Sequence, residues 1–101
     1  MSVPKYTTPT ITLTFEEEEL DLTQADSVFV TFESGDVRFT KTGNHLTVAA
    51  KQIDIDLSQE ETAKFGSVVD IQANWMVGEK RFASDIEHIR ISGQLLKEVI
   101  T

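Results

Sequence analysis

A chain of 101 residues holds enough material for one hydrophobic core and too little for two, and 40% hydrophobic with 26% charged residues is a composition that folds. The absence of cysteine excludes a disulfide framework, a thiolate zinc site and a cysteine nucleophile together. Seventeen acidic residues against nine basic ones give a formal charge of −8, whose field repels phosphate backbones and anionic lipid, so neither nucleic acid nor membrane is expected as a partner.

Residues 1–9, with Pro4 and Pro9, read as a flexible lead-in whose prolines discourage regular pairing. They lack the basic and apolar segments of a secretory leader, and no window reaches the roughly 18 apolar residues that span a bilayer. From Thr10 the pattern alternates: Ile11, Leu13 and Phe15 share one face while Thr10, Thr12 and Thr14 share the other, the signature of a half-buried strand. Glu16-Glu17-Glu18-Glu19 then sets like charges side by side, which suits a solvated turn.

A second strand is expected over Ser27–Glu33, with Val28, Val30 and Phe32 inward, and Ser34-Gly35 turns the chain into a third over Asp36–Thr40. Phe29 has outward parity where the other outward positions are polar, so it either fills a second packing surface or marks a contact patch. After the turn Thr42-Gly43-Asn44, Leu46 and Val48 share a face, and Ile53, Ile55 and Leu57 alternate with Asp54 and Asp56. Ser58 with Glu61 three positions on has capping-box spacing, which predicts one short crossover helix near residues 59–64, ended by Gly66.

Val69, Ile71, Ala73, Trp75 and Val77 form the longest alternating run, and Val77-Gly78-Glu79-Lys80 reads as the hairpin into a last strand. There Phe82 and Ile86 have one parity and Ile89 and Ile91 the other, which predicts a β-bulge or a change of sheet near Glu87 and His88. About seven short strands separated by turn signals imply an all-β fold, an immunoglobulin-like antiparallel β-sandwich occupying residues 10–92. Residues 93–101 are an apolar C-terminal tail in which Leu95, Leu96, Val99 and Ile100 could share a helical face; it either packs back on the sandwich or docks on a partner.

No catalytic motif emerges. The acidic runs and the pair Asp54 and Asp56 could offer oxygen ligands to calcium, but no glycine-bearing loop would wrap the ion, so solvated surface is the expected role and no metal or cofactor is assigned. Paired carboxylates for glycoside hydrolysis would need a cleft, for which a domain of this size has little room. His45 falls in a turn and His88 at the suspected bulge, where a hydrogen-bonding role is expected, and no nucleophile elbow is present. Trp75 is expected in the core; as the alternative, Trp75 or Phe29 stacks on sugar rings in a carbohydrate-binding or host-adhesion module.

Leu22-Thr23-Gln24-Ala25 leading into a strand, Ile55-Asp56-Leu57-Ser58-Gln59-Glu60-Glu61-Thr62 before a short helix, and Val69-Asp70-Ile71-Gln72-Ala73-Asn74-Trp75 followed by a hairpin and Ser84-Asp85-Ile86 together carry a resemblance. Over about residues 10–100 the chain resembles small tail-region proteins of bacteriophages and prophages of Gram-positive bacteria. It is similar as well to the immunoglobulin-like N-terminal domain of phage upper baseplate proteins. The resemblance implies a virion structural or assembly module of the tail or baseplate, made in the bacterial cytoplasm and acting without catalysis on other phage structural proteins or by self-association. Phe29, Leu95, Leu96, Val99 and Ile100 are the expected contact residues.

Overall fold

Alternating burial along the chain sets the strands, and the positions where alternation lapses set the turns. The computed structural model describes residues 2–93. In chain order the elements are β1 (Ser2–Pro4), β2 (Thr10–Thr14), β3 (Ser27–Ser34), β4 (Val37–Thr42), β5 (Leu46–Ala49), β6 (Gln52–Asp56), α1 (Gln59–Ala63), β7 (Val68–Val77), β8 (Lys80–Ala83) and β9 (Glu87–Ser92). They form an all-β sandwich. A six-stranded sheet runs β1-β9-β7-β3-β4 with β8 also beside β7, and a three-stranded sheet runs β2-β6-β5. All pairings are antiparallel except β1 with β9.

The expected inward residues make the core: Ile11, Leu13, Val30, Phe32, Ile53, Ile55, Leu57, Val69, Ile71, Ala73 and Trp75 are buried. Phe32 is fully buried and stacks on Phe39 and Phe65 at centroid distances of 5.1 and 6.4 Å, joining the large sheet to the segment after α1. Val28 is only half-buried, and Val77 is exposed because it sits at the hairpin end of β7, beyond the cover of the small sheet. Gly35 and Gly78 have φ of 58° and 60°. Each is the first of two turn residues, the position where a type II′ hairpin needs the left-handed backbone that glycine adopts freely.

Local chemistry builds α1 as its sequence predicts. Ser58 Oγ accepts the Glu61 N–H at 3.1 Å and Glu61 Oε1 accepts the Ser58 N–H at 2.8 Å, closing the capping box. Lys41 Nζ of β4 then reaches across to Glu61 Oε1 at 2.8 Å and Asp56 O at 2.7 Å, tying the large sheet to the helix entry. The helix is thereby the crossover from β6 in one sheet to β7 in the other.

The last strand changes parity through a bulge, placed a few residues before the expected Glu87 and His88. β8 pairs Trp75 with Phe82, while β9 pairs Ile71 with Glu87 and Val69 with Ile89. Between these ladders Ser84, Asp85 and Ile86 face only Gln72 and Ala73 of β7, one residue in excess. Ser84 seals the gap: its N–H donates to Ala73 O at 2.9 Å and its hydroxyl accepts the Ala73 N–H at 2.9 Å, while Gln72 Nε2 donates to Ser84 O at 2.9 Å. The excess residue lets Phe82 and Ile89 both meet core-facing positions of β7, and it leaves Ile86 on the surface.

The reading of residues 1–9 as a lead-in needs correction, since Ser2–Pro4 is an edge strand parallel to β9 with Val3 buried. Proline is tolerated there because an edge strand has one side free of pairing. A second clip fastens the following segment: the fully buried Thr62 accepts the Thr7 N–H at 3.1 Å and donates to Thr7 O at 2.9 Å. A side chain thus does for Thr7 what a neighbouring strand would do.

Candidate functional site

The outward face of the six-stranded sheet carries two of the exposed large apolar residues, Phe29 and Ile86. Phe29 on β3 lies opposite Asn74 of β7 and is 37% exposed. It lines a shallow depression of about 450 Å³ together with Thr31, Thr40, Asn74, Trp75, Met76 and Arg81. A second depression of about 300 Å³ adjoins it through Thr31 and is bordered by Ile86, 52% exposed, with Gln72 on its floor. Thr31 and Thr40 hydrogen-bond through their hydroxyls at 3.0 Å, so the centre of the face is neutral and low.

Arg81 borders the first depression, and Glu33, Arg38 and Asp70 border the second. Arg38 pairs with Glu33 across β3 and β4, and His88 Nδ1 meets Asp70 Oδ1 at 2.6 Å across β7 and β9. Both pairs are exposed, which makes them worth little to stability and leaves them free to re-pair with another molecule. An apolar and hydroxyl-bearing centre with a charged rim is the usual anatomy of a protein interface.

Of the other residues singled out in the sequence, Trp75 borders the Phe29 depression but is buried. It is 5% exposed, held edge-on by Phe15 at 5.7 Å and stacked on Phe82 at 6.0 Å between ring centroids, so it offers no face to a sugar ring. Among the aromatic residues weighed for stacking, Phe29 alone reaches solvent on this face. Asp54 and Asp56 accept hydrogen bonds from Thr12 Oγ1 at 2.7 Å and Thr10 Oγ1 at 2.5 Å, a ladder on the outside of the small sheet. Among the described residues no three His, Cys, Asp or Glu side chains are grouped to hold a metal ion. His45 is exposed in the 3-10 turn Gly43–His45. Leu95, Leu96, Val99 and Ile100 lie outside the described residues.

Ile86 is the member that sequence reasoning missed as a surface residue. Parity with Phe82 suggested a shared face, but an inserted residue breaks parity at that point, and only the mismatch with Ile89 and Ile91 signals it. No family model, no curated protein and no solved structure matches the chain. Among the described residues no helix is long and apolar enough to cross a membrane.

Proposed function

We propose that this domain is a non-catalytic contact module of a phage or prophage virion, an immunoglobulin-like sandwich that joins the tail or baseplate through the outer face of its six-stranded sheet. The observation that carries the contact reading is the pairing of Phe29 and Ile86 on one face, around the neutral Thr31–Thr40 centre and inside a charged margin. The strand order supports the fold assignment. Immunoglobulin-like sandwiches oppose a sheet built on their strands C, F and G to one built on B, E and D, and β3, β7 and β9 opposite β2, β6 and β5 match those letters in chain order. The virion assignment draws on the resemblance to phage tail-region proteins. Partners are other structural proteins of the particle or further copies of this chain.

The test is assembly. Particles induced from the source prophage and purified should contain the chain by mass spectrometry. Phe29→Asp should lower its incorporation at least about tenfold, the effect of losing roughly 1.4 kcal/mol of contact, while leaving thermal unfolding nearly unchanged. Absence of the chain from purified particles overturns the virion assignment, and normal incorporation of Phe29→Asp overturns the face.

A further inference from the structure

The edges of the two sheets are not guarded alike. An unpaired strand edge invites another strand, and proteins blunt it with charge, proline, shortness or a covering segment. β1 is three residues long and ends in Pro4; β4 carries Arg38 and Lys41; β8 carries Lys80 and Arg81. β5 is flanked by the 3-10 turn Leu22–Gln24, whose Leu22 N–H donates to Ala50 O at 2.8 Å. β2 has no such device. Thr10-Ile11-Thr12-Leu13-Thr14 is regular, uncharged and free of proline, and it ends the three-stranded sheet.

Which of its backbone groups are free follows from antiparallel alternation. Phe15 N–H donates to Lys51 O at 2.9 Å and Leu57 N–H donates to Pro9 O at 3.0 Å, which puts the odd-numbered residues of β2 in the bonded pairs with β6. The N–H and C=O groups of Thr10, Thr12 and Thr14 therefore point away from β6. On that side lies a groove of about 830 Å³ between β2 and the segment from Ala83 to Ile89. Leu13, Phe15 and Ile89 line its apolar part, and Glu16, Glu17, Asp85 and Glu87 its acidic rim.

We propose that β2 is a strand-acceptor edge and that this groove takes an extended segment of a partner protein, apolar at alternate positions and carrying Lys or Arg. The segment pairs with the free backbone groups of Thr10, Thr12 and Thr14, seats its apolar side chains against Leu13 and Ile89, and sets its cations against the acidic rim. Charge selects this occupant: a second copy would bring another chain of formal charge −8 to the same rim. The assignment rests on the contact-module reading but uses a surface separate from the Phe29 face.

The experiment is an NMR titration of the full chain with a synthetic peptide of alternating Val and Lys, its order-scrambled isomer and a Val–Glu counterpart. Saturable binding of the Val–Lys peptide is expected, with new exchange protection at the Thr10, Thr12 and Thr14 amides, and the isomer should bind at least about tenfold more weakly. Thr12→Pro removes one groove-facing N–H while sparing the β2–β6 bonds, and should weaken binding about tenfold, the worth of one edge hydrogen bond. Should that variant unfold, the exposed pair Glu17→Lys with Asp85→Lys supplies the check, by shifting preference to the Val–Glu peptide. Protection of the three threonine amides before peptide is added, equal binding of the isomer, or shifts centred on Phe29 and Met76 would each overturn the assignment. Phe29→Asp should leave peptide binding unchanged, so failure of the edge and failure of the Phe29 face are read separately.

Discussion

Replacing Thr62 with valine isolates the clip that holds the N-terminal strand to the sandwich. The substitution keeps the β-branched shape and removes one hydroxyl, which now accepts the Thr7 N–H at 3.1 Å and donates to Thr7 O at 2.9 Å or Gln59 O at 3.3 Å. Thr62 is fully buried and Thr7 half-buried, so water can compensate the Thr7 peptide only in part. An unmet buried donor or acceptor costs about 1–3 kcal/mol, and partial access to water places the loss at about 2 kcal/mol. For a domain of this length that lowers the melting temperature by roughly 8–15 °C. Urea unfolding followed by Trp75 fluorescence measures it, and hydrogen exchange at the Thr7 amide should quicken. Thr62→Ser keeps the hydroxyl and loses one methyl, so it should cost less, about 1 kcal/mol. A Thr62→Val protein within about 0.5 kcal/mol of the parent, or one more stable than Thr62→Ser, would refute the clip.

Other perturbations reach the core, the bulge and the helix entry. Phe32→Ala removes the fully buried ring of the three-ring cluster with Phe39 and Phe65 and should cost about 3–5 kcal/mol in urea unfolding, a large share of a small domain's stability. Ser84→Ala deprives the Ala73 N–H of its acceptor and should cost about 1 kcal/mol, with faster exchange at that amide as the local sign. At Glu61, partial burial acts to raise the pKa, but the hydrogen bond from Lys41, the Ser58 N–H and the Lys41 charge together outweigh it and hold the carboxyl below its ordinary value. A carboxylate with a lowered folded-state pKa contributes stability above its unfolded pKa and loses it as pH falls through the folded one. Glu61→Gln should therefore show its deficit at neutral pH and converge on the parent in acid; a deficit that persists in strong acid would count against the ionic part of the contact.

Burial face and local closure were legible in the sequence, because period-two alternation and capping chemistry act between near neighbours. The inward sets Ile11 with Leu13, Ile53 with Ile55 and Val69 through Trp75, the Ser58–Glu61 box and the glycine turns at Gly35 and Gly78 needed no knowledge of partners. The parity conflict between Phe82 and Ile89 likewise announced an inserted residue, though its place at Ser84 depends on which β7 groups the serine can reach.

Tertiary structure alone decided which strands became neighbours. Alternation tells a strand which face to bury and is silent on what lies beside its edges, since those contacts join residues far apart in the chain. For that reason Val3 entered the sheet from a proline-flanked segment, Phe29 and Ile86 came to share one outer face, and β2 was left with its threonine backbone groups turned toward an open groove.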